Sequence, residues 1–180
     1  MLSLKDNPPA QFPEDPLDQF QGLWWVAHTK PRQEKALAWD VFRRQIPFFL
    51  PMCEVSRQSK SRAWKTKLVL FPGYVFVCGD AEQRLKTLKT GRIANLIEVV
   101  DQDRLKKELA GVKRLIETQL AINPYPALKE GTRCRVRSGP LVGLEGRVER
   151  RKKPARFVVE ISILGQGAAV EIDADLLEVI

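Results

Sequence analysis

LFPGYVFV, residues 70–77, has the composition of a β-strand, yet Pro72 and Gly73 stand in its middle. Proline removes a ladder donor, and glycine weakens a strand unless it marks a bulge or a close approach. Alternate positions place Leu70, Pro72, Tyr74 and Phe76 on one face and Phe71, Gly73, Val75 and Val77 on the other. Neither face is polar. A strand over 70–77 therefore needs cover on both sides, which asks for a sheet with helices on one face and something further on the other.

The neighbouring segments supply such a sheet. LWWVAHT (23–29) reads as an aromatic, β-branched strand. Pro31 suits the first turn of a helix, where its missing N–H does no harm. Leu37 with Val41, and Ala38 with Phe42, repeat four apart as an apolar stripe, and Pro47 ends it. FFLPMCEVSR (48–57) predicts a strand broken at Pro51, followed by a basic hairpin or loop, SRQSKSRAWKTK (56–67), with no acid. After the opening stretch come a short helix, AEQRLKTLKTG, with Leu85 and Leu88 three apart, and a strand over 92–100. A helix then runs from Asp101 or Asp103 to about Gln119, with Leu105, Leu109, Val112 and Ile116 on one stripe. The order strand, helix, strand, strand, helix, strand, helix predicts an α+β domain over 23–119, a small and mainly antiparallel sheet with packed helices.

INPYPALKEG shows no periodicity and two prolines, so 120–128 reads as a linker. From Lys129 to Ile180 short alternating strands and glycine turns take over; FVVEISI sets Phe157, Val159, Ile161 and Ile163 against Val158, Glu160 and Ser162. Five strands in so short a stretch predict a small all-β barrel, because an open sheet would leave its edges unprotected. Residues 1–22 hold four of the 12 prolines and a net charge of −3, and read as a disordered acidic tail.

Charge narrows the function. The chain carries a net +8, and residues 23–68 alone account for +7. A concentrated basic excess suits contact with phosphate backbones, against the plainer reading of a solvated surface. Cys53, Cys78 and Cys134 match no zinc, redox or disulfide spacing, and His28 is the single histidine. No phosphate-binding glycine loop and no Ser/His/Asp arrangement can be drawn, so neither an enzyme nor a cofactor is expected. The longest nearly apolar run, Leu68 to Gly79, is far shorter than the ~20 residues of a membrane helix. The acidic, proline-rich N-terminus is no signal or transit peptide, so a cytoplasmic protein is expected.

WWVAHTKPRQEKA, FFLPM and LFPGYVFV, in that order and spacing, resemble the N-terminal domain of NusG-type transcription elongation factors. GTRCRVRSGPLVGLEGRVE through VVEISILGQGAAVEI resembles a KOW domain, which has an SH3-like barrel fold. The acidic tail, the compact FFLPM passage and the NPYP linker resemble the specialised, RfaH-like antiterminator branch. The resemblance implies a monomeric factor whose first domain grips the clamp helices of the largest subunit of bacterial RNA polymerase, suppresses pausing or termination and lies near the non-template DNA strand. Its KOW domain would recruit Rho or a small-subunit ribosomal protein. By motif position, the polymerase-binding residues would be His28, Phe71, Pro72, Tyr74 and Phe76, with ordinary core as the alternative for Tyr74 and Phe76. Lys30, Arg32, Arg43 and Arg44 would meet nucleic acid, and Trp64 would stack an unpaired base or fold over the sheet. Arg147, Arg150, Arg151, Lys152, Lys153 and Arg156 would serve the KOW partner or simply solubility. The competing reading is a KOW-type RNA-binding or ribosome-associated protein, which has no need of LFPGYVFV.

Overall fold

The computed structural model describes residues 7–58, 63–118, 120–125, 131–149 and 155–180. These divide into two compact units, Met1–Gln102 and Asp103–Ile180. In the first, strands β1 (Gln11–Phe12), β2 (Leu23–Thr29), β3 (Phe48–Phe49), β6 (Tyr74–Gly79) and β7 (Ile93–Glu98) form a five-stranded sheet. Its order is β1-β3-β6-β2-β7, and every pair is antiparallel. Strands β4 (Met52–Gln58) and β5 (Ala63–Val69) make a separate two-stranded ribbon, so the basic segment is a hairpin. Helices α1 (Glu34–Arg43) and α2 (Ala81–Leu88) complete this unit.

The opening stretch is not one strand. Strand β6 starts at Tyr74, and Phe71–Tyr74 is a turn closed by the Tyr74 N–H donating to the Phe71 carbonyl at 3.1 Å. Proline second and glycine third in such a turn, with Gly73 at φ +89°, is the type II pattern. The turn is tied down on both sides. Gly73 N–H donates to Glu34 Oε1 of α1 at 2.6 Å, and Thr29 N–H donates to the Gly73 carbonyl at 2.8 Å. A Cβ on Gly73 would meet only the His28 ring, Cδ2 at 3.6 Å and Nε2 at 3.8 Å, ordinary contact, so strain at positive φ is the whole penalty of a side chain there. Gly73→Ala is expected to cost about 1–2 kcal/mol, read as a lowered urea midpoint with an unchanged m-value.

The two faces of β6 are covered separately. Val75 and Val77 pack with Leu37, Ala38 and Val41 of α1 and with Ala27, Ile46, Phe48, Leu50 and Met52, as the helical stripe predicts. Phe76, on the opposite face, meets the ring of Phe71 edge to face, at 6.0 Å between centroids and 84° between planes. The turn thus folds Phe71 back over its own strand. Helix α2 departs from expectation. Leu85 and Leu88 are exposed and Thr87 is the buried residue, its hydroxyl donating to the Gln83 carbonyl at 2.8 Å. Asp80 caps this helix reciprocally with Gln83, the capping-box arrangement.

Residues 7–22, expected as part of a disordered tail, are ordered as a strap along the sheet. Strand β1 pairs with β3, and the Leu50 N–H donates to the Ala10 carbonyl at 2.7 Å. Phe12 meets Phe42 edge to face, Leu17 and Phe20 are buried, and Phe20 stacks on Trp24 at 5.4 Å. Lys35 Nζ donates to Asn7 Oδ1 at 2.6 Å and to the Lys67 carbonyl at 2.7 Å. Burial, and secondarily the neighbouring Lys67, pull its pKa below the ordinary lysine value.

The second unit holds most of helix α3 (Gln102–Glu117), which the sequence reading gave to the first domain. Leu105, Leu109 and Val112 are buried as the stripe predicts, but Leu115 rather than Ile116 completes it. Around it lies a six-stranded antiparallel sheet in the order β13-β9-β10-β11-β12-β8. Its strands are β8 (Asn123–Tyr125), β9 (Thr132–Val136), β10 (Glu145–Glu149), β11 (Ala155–Ile161), β12 (Gln166–Ile172) and β13 (Leu177–Val179). The barrel expected from sequence is thus an all-antiparallel sheet, with no ladder joining β8 to β13 among the described residues. Strand β8 falls inside the predicted linker, pairing with Gly167–Ala169 of β12. Glu108 of α3 accepts from the Ser162 N–H at 3.0 Å and the Ser162 hydroxyl at 2.5 Å. All three cysteines are buried.

Candidate functional site

The five residues expected to grip a partner separate into two layers. Phe71 and Phe76 have no exposed surface. His28 and Pro72 are exposed and Tyr74 is half-buried. His28 and Tyr74 are cross-strand partners in the β2–β6 ladder, and their rings stack at 5.0 Å with 23° between planes. Such a pair stands at the end of both strands, where β6 begins and β2 leads into α1. Stacked aromatic rings offer flat apolar area with little side-chain entropy to lose on docking. The phenylalanines, fully buried and in contact with each other, do not form this surface.

The cations gather elsewhere in the unit. Lys30 and Arg32 lie in a tight turn, Lys30–Gln33, closed by the Gln33 N–H donating to the Lys30 carbonyl at 3.1 Å. Lys30 Nζ donates to the Gly91 carbonyl at 2.7 Å, and Lys30 N–H to the Arg92 carbonyl at 2.8 Å. At the other end of α1, Arg44 Nη1 donates to the Lys86 carbonyl at 2.7 Å. Arg43 lies 3.6 Å from Asp40 and sits over the Trp39 ring. The end of α2 and the loop after it, residues 86–92, therefore connect both ends of α1. Arg92, which sequence reasoning passed over, pairs with Asp40 and donates to Gln33 Oε1 at 2.6 Å. Lys30 and Arg44 each spend a donor on a backbone carbonyl, so part of their role is structural. The Trp64 side chain falls outside the described residues, although its strand is described opposite Arg57.

Of the second-unit cations, Arg150, Arg151, Lys152 and Lys153 lie outside the described residues. Arg147 Nε is 2.5 Å from Glu160 Oε1, an ion pair off hydrogen-bond geometry, and Arg156 is exposed. Among the described residues no group of three His, Cys, Asp or Glu is placed to hold a metal. No described helix is long and apolar enough to cross a membrane.

The family model described as NusG, transcription termination factor, matches residues 22–121, from just before β2 to beyond α3. The chain belongs to the NusG family. NusG-family proteins are non-enzymatic transcription factors. The solved structure of Thermotoga maritima NusG is similar in fold, with a TM-score of 0.53 at 19% identity, over 89% of this chain and 98% of that one. A chain of the MjSpt4:Spt5 complex aligns over 88% of this chain and 97% of its own, at 15% identity and a TM-score of 0.28. No curated protein sequence matches.

Proposed function

We propose that this NusG-family chain is a cytoplasmic elongation or antitermination factor that docks on the clamp helices of bacterial RNA polymerase. The ledge of His28, Pro72 and Tyr74, supported by Phe71 and Phe76, supplies the apolar contact. The cationic side around α1 lies toward the non-template DNA strand. The second unit, through Arg147, Arg156 and the basic segment between them, recruits a ribosomal small-subunit protein or Rho, and suppression of pausing or termination follows from holding the clamp. One observation carries the reading: within the segment matched by the family, an exposed His28 stacks on a half-buried Tyr74 at the turn the motif encodes.

The test is capture of RNA polymerase by the full chain with His28→Ala and Tyr74→Ala combined. Truncating a central contact of an interface costs 2 kcal/mol or more, about thirtyfold in affinity. Because both side chains are solvent-facing in part, the melting temperature should move little. Capture at wild-type affinity by the folded double variant would remove the ledge from the interface.

A further inference from the structure

Lysines of the first unit are held in two different ways. Lys65 meets Glu54 at 2.7 Å and Lys86 meets Glu82 at 2.8 Å, carboxylates that favour an ammonium opposite them. Lys35, the second residue of α1, makes no ion pair among the described residues. Its Nζ donates instead to two neutral oxygens, Asn7 Oδ1 at 2.6 Å and the Lys67 carbonyl at 2.7 Å. An ammonium has three N–H groups, and a neutral amine still has two. Both acceptors therefore stay satisfied when Lys35 loses a proton, and the nitrogen gains a free electron pair. Burial is the main cause that pulls the Lys35 pKa below the ordinary lysine value; the Lys67 charge adds to it and Glu34 opposes it. Lys65 is shifted the opposite way by its hydrogen bond to Glu54. Lys35 is also half-buried rather than enclosed, so a small reagent has access to it.

We propose that Lys35 is a modification site, acylated at Nζ by an acyl phosphate, and that the acyl group unfastens the opening end of the strap. The amine adds to the acyl carbonyl, an N–C bond forms, the C–O bond to phosphate breaks, and the amine proton leaves with the phosphate. The product amide carries no charge and keeps one N–H. The Asn7 and Lys67 oxygens then compete for one donor where two served before, and the added acyl group must be accommodated where the strap meets α1. A little further along the strap, the Ala10 carbonyl receives the Leu50 N–H at 2.7 Å and Gln11–Phe12 pairs with β3. Loosening at Asn7 therefore reaches the bonds that cover the outer edge of the sheet.

The test incubates the folded full chain with acetyl phosphate from neutral to alkaline pH and follows each lysine by peptide mass spectrometry. A lowered pKa leaves more neutral amine at a given pH, so Lys35 should acetylate several-fold faster than Lys65 and reach its plateau at a lower pH. In urea the two rates should converge, because the fold makes the difference. Lys35 reacting no faster than Lys65 in the folded chain overturns the site, and so does an advantage that persists in urea. Amide exchange reads the consequence separately. In the acetylated chain, and in Lys35→Gln without treatment, the Leu50 N–H should exchange several-fold faster while amides of the β2–β6 ladder keep their rates. Treated Lys35→Arg should protect Leu50 as the untreated wild type does. Unchanged exchange at Leu50 after acetylation overturns the unfastening. Equal acceleration throughout the sheet does so too, by showing global destabilisation, and faster exchange in treated Lys35→Arg assigns the effect to another lysine.

Discussion

Replacing Phe76 by alanine should destabilise the first unit by about 3–5 kcal/mol, a large share of the 5–15 kcal/mol available to a typical domain. Phe76 is fully buried as the third residue of β6, bonded into ladders with β2 on one side and β3 on the other. No neighbouring strand can move in to fill the space, because β6 is held between two partners. The ring also makes an edge-to-face contact with Phe71, worth about 0.5–1.5 kcal/mol beyond area. Phe71→Ala should therefore couple to Phe76→Ala by roughly that amount in a double-mutant cycle read from urea midpoints. A cost below about 1 kcal/mol for Phe76→Ala would show that the site collapses and that Phe76 is no support for the ledge. The result also bears on polymerase capture. Loss of binding in Phe76→Ala reports unfolding, whereas loss in Tyr74→Ala with an unchanged melt reports docking.

Much of the first unit is legible because one rule governs each element. The i, i+4 spacing of Leu37 and Val41, ended at Pro47, encodes α1 and its buried stripe directly. The 70–77 stretch misleads because its residues satisfy two rules at once. Alternation over apolar neighbours reads as strand, while the Pro-Gly pair reads as turn; the turn prevails because a φ of +89° has no place in a ladder. In α2, leucines three apart imitate an inward stripe, yet Asp80 and Gln83 set the helix so that Thr87 faces the core. Strand β8 carries no signal of its own, since its pairing depends on the edge offered by β12. At the site, the identities of the cations are readable and their ties are not. The bond from Lys30 to Gly91 spans 61 residues and that from Arg44 to Lys86 spans 42, and a carbonyl acceptor leaves no trace in residue type.

Deleting residues 1–21 is the second test with a large expected effect, because a disordered tail and a docked strap predict opposite outcomes. Composition argues for the tail: prolines and acids dilute the apolar residues below what an independent segment needs to order. The strap does not order independently. Leu17 and Phe20, with Phe12 partly buried beside them, dock on a sheet that already exists, so each fully buried side chain contributes about 1.5–3 kcal/mol without building a core of its own. Removing the strap uncovers the outer edge of β3, leaves the Leu50 N–H without the Ala10 carbonyl and strips Phe20 from Trp24. The truncated chain should unfold at a lower urea midpoint, by about 3 kcal/mol or more, and self-associate through the open edge in size-exclusion runs. Point substitutions sharpen the prediction. Leu17→Ala or Phe20→Ala alone should each cost about 2 kcal/mol or more, but together no more than the deletion, since a strap that has already peeled away has nothing further to lose. Independent contributions would exceed that ceiling, and a dispensable tail would leave the midpoint where it was.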